Sequence, residues 1–173
     1  MTGFFSYAKQ RAFCNSGTVR DNLLQADPNA DDEEILRVIE TACAQDLLQD
    51  EGMDRKVTKE GGNLSGGQKQ RMSLAKALLR KAPVCVLDDC FSALDAATEK
   101  NILENLRTRY PGRTFFMVSQ KVRSLKSCDR ILLMRKGRIE AVGSHRELYR
   151  TSEVYREICE SQQMDDPGKE ETV

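Results

Sequence analysis

The run from Asn63 to Asp95, NLSGGQKQRMSLAKALLRKAPVCVLDDCFSALD, constrains the fold of this chain more than any other stretch. It spells a loop, an amphipathic helix, a hinge at Pro83, a buried strand and then a cluster of carboxylates. Val84-Cys85-Val86-Leu87 is short, apolar and bounded by a proline and two aspartates, as expected of a strand covered on both faces. Asp88 and Asp89 follow at its carboxyl end, where open α/β sheets bind their ligands. Upstream, Leu64-Ser65-Gly66-Gly67-Gln68 opens the helix. Its glycines let backbone N–H groups approach a ligand closely, and a helix N-terminus favours negative charge. An anion site and a magnesium-type carboxylate pair on one strand–helix unit point to a nucleotide. A plainer reading stands beside this one. Ser65-x-x-Gln68 is formally a capping box, which would only start a helix. The two consecutive glycines tilt against that alone, because they cost helix stability and a cap does not require them.

Three motifs in register carry a family resemblance. Leu64 to Gln68 resembles the signature motif of the ABC-transporter nucleotide-binding domain, Val84 to Asp88 its Walker B strand, and Ser92-Ala93-Leu94-Asp95 its D-loop. The likeness covers most of residues 3–160. It implies an α/β fold of the P-loop NTPase type, the ABC ATPase: a mostly parallel core sheet with a helical subdomain. The helical part would span about residues 18–82, with core segments at about 3–10 and 83–161. The cofactors implied are ATP and Mg2+. Ser65, Gly66, Gly67 and Gln68 would meet the γ-phosphate of ATP held by the second nucleotide-binding domain of a head-to-tail dimer, so they would act in trans. Asp95 would lie at that interface.

Composition bounds the alternatives. At 173 residues the chain is one domain or part of one, long enough to bury a core. Lys+Arg and Asp+Glu are 27 each, so charge gives no reason to expect nucleic acid or electrostatic membrane binding. No apolar run reaches transmembrane length, and no signal peptide opens the chain. The resemblance instead implies work at the cytoplasmic face of the membrane, against the transmembrane domain of an exporter. The cysteines at 14, 43, 85, 90, 128 and 159 form no C-x-x-C pair and read as reduced core or surface thiols.

In chain order, Gly3 to Ala8 is aromatic-rich and reads as a strand. Lys9-Gln10-Arg11 follows, which within the resemblance is the Q-loop, with Gln10 near magnesium. A short helix is expected from Thr18. Asp31-x-x-Glu34 reads as a capping box before a helix whose inward stripe is Ile35, Val38, Ile39, Ala42 and Cys43. Glu99 to Arg107 reads as a helix, Thr114 to Val118 as a buried strand. Asp129–Arg135 and Arg138–Val142 read as a hairpin around Lys136-Gly137. Ser144-x-x-Glu147 caps a further helix, Val154 to Glu160 continues helical, and Gln162 to Val173 is a polar tail expected to be disordered.

Departures from the family pattern shape the expected mechanism. No G-x-x-x-x-G-K-[ST] occurs, so the resemblance is to the distal part of such a domain with its N-terminal part missing. The residue after the Walker B aspartate, ordinarily Glu, is Asp89. One methylene less withdraws the carboxylate by more than an ångström, and a misplacement of about 1 Å costs on the order of 10²-fold in rate. The switch position after Thr114–Val118, ordinarily His, is Gln120, which has no titratable proton. Asp89 and Gln120 together resemble the degenerate-site subunit of heterodimeric bacterial multidrug exporters, whereas Asp88 and Gln10 remain as magnesium or water-ordering groups. Two other classes compete. A chromosome-maintenance ATPase would carry coiled-coil heptads, and none appears. A non-enzymatic remnant or docking module would show no nucleotide affinity of its own.

Overall fold

A computed structural model describes residues 3–163 of the chain, which divides into two compact units, Met1–Val118 and Ser119–Val173. The boundaries expected near residues 18 and 82 both lie inside the first unit.

The first unit runs β1 (Phe5–Ala8), β2 (Gly17–Thr18), α1 (Val19–Leu24), α2 (Asp32–Thr41), β3 (Lys56–Val57), α3 (Gly66–Leu79), β4 (Val84–Asp88), α4 (Ala96–Arg109) and β5 (Thr114–Val118). Strands β1, β4 and β5 form a parallel sheet in that order. Tyr7 pairs with Val86 and Val86 with Phe116, so each register row crosses all three strands. Side chains alternate across the pleat. Ser6, Ala8, Cys85 and Leu87 point into the core with no exposed surface, packed with Ile35, Met72 and Leu78. The opposite face is open: Phe5, Tyr7, Phe116 and Val118 are all about half exposed. A strand covered on both sides was the expectation for Val84–Leu87; here Val84 and Val86 are only half-buried, because the helices of this unit pack on the other face.

Helix starts are where local sequence chemistry is most legible. Thr18 caps α1 and Ser65 caps α3, each with its reciprocal partner in place (Asp21 and Gln68). Asp31 caps α2 by accepting from the Glu34 amide at 2.8 Å. The expected return bond from Glu34 is not made, because its carboxylate pairs with Lys81, 47 residues away. Cys43 leaves the helical stripe: α2 stops at Thr41, and Cys43 sits in the left-handed region at φ 51°.

Arg113 ties three parts of this unit together. Its guanidinium donates to the carbonyls of Ala77 and Leu78 at 2.9 and 3.0 Å and to Ser6 Oγ at 2.8 Å. It lies against the rings of Tyr110 and Phe115. A cation on the last carbonyls of α3 completes that helix end. Arg113→Met is expected to lower stability by about 2–3 kcal/mol, seen as a lower urea midpoint of the 173-residue chain with an unchanged slope.

The second unit contains α5 (Val122–Leu125), a β6 (Ile131–Arg135) and β7 (Arg138–Gly143) hairpin, α6 (His145–Thr151) and α7 (Glu153–Ser161). Its core gathers Val122, Ile131, Leu148, Tyr155 and Cys159. Ser144 and Glu147 form the expected capping box. His145 Nδ1 lies 3.0 Å from the Tyr155 hydroxyl and is buried, consistent with a structural histidine. Gln162, expected to open a polar tail, is instead held in the fold. Gln162 accepts from the Val122 amide at 2.9 Å and donates to the Gln120 carbonyl at 2.8 Å, so two long-range bonds hold a residue whose type suggested a tail. The remainder of that expected tail, 164–173, lies outside the described residues.

Candidate functional site

The N-terminus of α3 is built by its own sequence. Ser65, in extended backbone, accepts from the Gln68 amide at 3.1 Å, and Gln68 Oε1 accepts from the Ser65 amide at 3.0 Å. The Gln68 amide nitrogen donates onward to Asp46 Oδ2 at 3.0 Å. Both polar ends of Gln68 are therefore engaged within the chain, and its side chain holds Ser65 in place. Arg71 locks the same corner. It pairs with Asp46 at 2.7 Å and donates to the Cys43 carbonyl at 2.7 Å. Ser65 and Gly66 remain exposed. The first-turn amides of Gly66 and Gly67 have no carbonyl one turn back within the helix, so they are donors for an outside acceptor.

The glycines also answer a packing need. A Cβ on Gly67 would sit 3.3 Å from the Ala93 carbonyl oxygen and 3.3 Å from Leu94 Cδ2. The segment Ser92–Leu94 thus lies directly on the first turn of α3. It leads to Asp95, which caps α4 by accepting from the Thr98 amide at 2.9 Å and the Thr98 hydroxyl at 2.7 Å. Those two bonds, the amide first, hold the Asp95 carboxyl below the usual carboxylate range. Its cap is therefore complete above the ordinary aspartate pKa and is lost only as pH falls below it. Ser65, Gly66, Gly67, Arg71, Asp95 and Thr98 line one open cleft of about 390 Å³.

The carboxylate rim lies at the end of β4. Asp88 is exposed. Asp89 turns the chain out of the strand at φ 45°, a left-handed conformation that Asp adopts more readily than most residues. Its amide donates to the Val118 carbonyl at 2.9 Å. Gln10, just past β1, donates to Asp89 Oδ2 at 3.2 Å. The structure thus brings Gln10 and Asp89 together although 79 residues separate them. Gln120 lies exposed in the second unit, in the bend after β5. Next to the rim, burial pushes the Cys90 thiol up to about 12, so it stays protonated and is no nucleophile.

For a magnesium ion the donor chemistry fits. Asp88, Asp89 and Gln10 offer hard oxygen ligands. Among the described residues no group of three or more His, Cys, Asp or Glu side chains is assembled for a metal.

Gln70 was not singled out by sequence. It is buried, at 6% exposure, and bonds Ser92 and Ala93 through both ends of its amide. The available signal was a polar residue on the inward stripe of α3, four positions before buried Leu74. The Asp46–Arg71 pair had no local signal, its members being 25 positions apart.

Comparison with known proteins bears on the family and the fold. The ABC transporter family profile matches residues 3–92. A Rickettsia felis protein, provisionally named as an export ATP-binding/permease protein, is 36% identical over 159 residues, covering 91% of this chain and 28% of its own length. An uncharacterized ABC transporter ATP-binding protein of Bacillus subtilis, YfiB, is 38% identical over 158 residues, covering 90% of this chain and 27% of its own. Among solved structures, a bacterial Atm1-family ABC exporter with ATP bound matches with a TM-score of 0.89 and 28% identity, over 94% of this chain and 29% of that one. The chain therefore spans under a third of the length of these relatives. No helix among the described residues is long and apolar enough to cross a membrane.

Proposed function

The chain belongs to the ABC transporter family, and on that premise we propose that it serves as the distal part of the nucleotide-binding domain of an exporter subunit. It would work at the cytoplasmic face of a membrane, beside a transmembrane domain and a second nucleotide-binding domain. The observation that carries the proposal is the outward-facing cleft at the start of α3. Ser65 and Gly66 are exposed on it, while the Asp88–Asp89 rim is a separate feature of the same unit. Each is half of a nucleotide site that another polypeptide surface completes.

In this reading Ser65, Gly66 and Gly67 donate to the γ-phosphate of ATP bound by the partner domain, with Gln68 and Arg71 fixing the turn behind them. Donors held in place before charge develops stabilise a transferring phosphoryl group without reorganisation. Asp95 meets the partner at the rim of the cleft. Asp88 and Gln10 would hold Mg2+, which neutralises phosphate charge when bound. Asp89 orders water there with a carboxylate set further back than a glutamate's, and Gln120, at a position where the family pattern has His, carries no titratable proton. That pairing supports a heterodimer in which this subunit's own site hydrolyses slowly while its signature serves the partner's site.

The test is association. The 173-residue chain, mixed with a nucleotide-binding domain that carries G-x-x-x-x-G-K-[ST], is expected to form a heterodimer in MgATP, seen by sedimentation velocity. ADP or removal of magnesium should dissolve it. Association indifferent to nucleotide, or none in MgATP, would overturn the proposal.

A further inference from the structure

We infer that Gln70 is a positioning residue that joins the two half-sites of this chain through a directed hydrogen-bond relay. The backbone amide of Ala93 can only donate, and it lies 2.9 Å from one end of the Gln70 side chain. That end must be Oε1, so the Nε2 end faces Ser92 Oγ, at 2.7 Å. Ser92 Oγ, accepting from Gln70, turns its hydrogen onto the carbonyl of Asp89, 3.0 Å away. Asp89 in turn accepts from Gln10 at 3.2 Å through its carboxylate.

The relay runs from the signature helix, through the segment that lies on Gly66 and Gly67, to the left-handed residue at the carboxylate rim. Its direction is set at one point. A primary amide has one donor end and one acceptor end, and with the acceptor end on the Ala93 amide the donor end faces Ser92 Oγ, which leaves the Ser92 proton for Asp89. A shift of Ser92–Ala93 on the partner-facing side would therefore be felt at Asp89 and Gln10. Communication between two nucleotide clefts rests on the function proposed above; the relay itself does not.

The decisive variant is Gln70→Glu, which keeps shape and, read at a pH where it is ionised, offers two acceptors. Ala93 can still donate to it, whereas the Ser92 hydroxyl must turn to the new carboxylate and leave the Asp89 carbonyl to the Ser92 amide, 3.4 Å away. Amide NMR of the full 173-residue chain without nucleotide reads each step. In Gln70→Glu the Ala93 amide should stay protected from exchange, while the Asp89, Cys90 and Ser92 amides and the Gln10 side-chain NH2 signals shift. In Gln70→Leu the Ala93 amide should in addition exchange about tenfold faster or more. If Gln70→Glu moves only signals next to residues 70, 92 and 93, with Asp89 and Gln10 unmoved, the relay is refuted. Loss of Ala93 protection in Gln70→Glu would refute the assigned direction. If Gln70→Leu does not fold, the isosteric glutamate variant still decides. Because no nucleotide is present, failure here is distinct from failure of the association experiment.

Discussion

Gly66→Asp should abolish the MgATP-dependent association of this chain with its partner domain while leaving the fold intact. Gly66 is the first residue of α3 and is exposed, and a Cβ there meets only Ala93 Cβ at 3.5 Å, an ordinary contact. A carboxylate in the first turn interacts favourably with the helix dipole, by about 0.3–1 kcal/mol, and replacing a helical glycine adds a similar gain. Folding stability should therefore hold or rise. At the interface the sign reverses. A carboxylate about 4 Å from a phosphate charge at a protein surface costs about 4 kcal/mol, a loss of roughly 10²–10³-fold in association. Gly66→Ala makes the same backbone change without the charge, and it should stay within about tenfold of the parent. Sedimentation velocity in MgATP separates the three proteins. If Gly66→Asp associates as the parent does, this helix end does not face phosphate.

That variant also resolves an ambiguity left by the sequence. Ser65-x-x-Gln68 reads equally as a helix cap and as a phosphate motif, and the structure shows the cap fully formed. The two roles do not compete, because Ser65 Oγ accepts from the Gln68 amide and its hydrogen remains a donor. The cap fixes the hydroxyl, and the fixed hydroxyl is what a phosphate site needs.

The elements that were legible from sequence owe their form to nearby residues. The caps at Thr18, Ser65 and Ser144 act within three positions, and the apolar run Val84–Leu87 announces itself as a strand. What was not legible depends on distant partners. Glu34 turns from its own helix to Lys81, Gln162 is tied to Gln120 and Val122, and Asp46 is fixed by Arg71. The two-residue pair β2–β3 and the single turn α5 are too short to carry a periodic pattern. At the candidate site, the motif residues could be named from the family resemblance. Gln70 could not, because its importance lies in reaching Ser92 and Ala93 across the fold.

The open face of the β1-β4-β5 sheet carries the other large expected effect. Tyr7, Val86 and Phe116 form one register row across the three strands, with Phe5 and Val118 on the same side. Tyr7 and Phe116 are 54% and 50% exposed. Parallel sheets are stable when covered on both faces, and a contiguous apolar surface of this kind drives association. The 173-residue chain in isolation should bind a hydrophobic dye such as ANS and self-associate as concentration rises. Tyr7→Glu with Phe116→Lys should cut dye binding about threefold or more, because both residues lie on the accessible patch. The same pair should change unfolding free energy by under about 1 kcal/mol, since little buried area is lost. One residue further along the strands the outcome inverts. Ala8, Leu87 and Met117 form the adjacent row on the inward face, where Leu87 has no exposed surface. Leu87→Lys would bury an ammonium without a partner, at a cost of several kcal/mol, and should unfold the chain. The contrast is specific to a sheet covered on one side only. Unchanged dye binding in the double variant would mean that this face is not the accessible apolar surface in solution, and equal destabilisation by both sets would mean that it is packed.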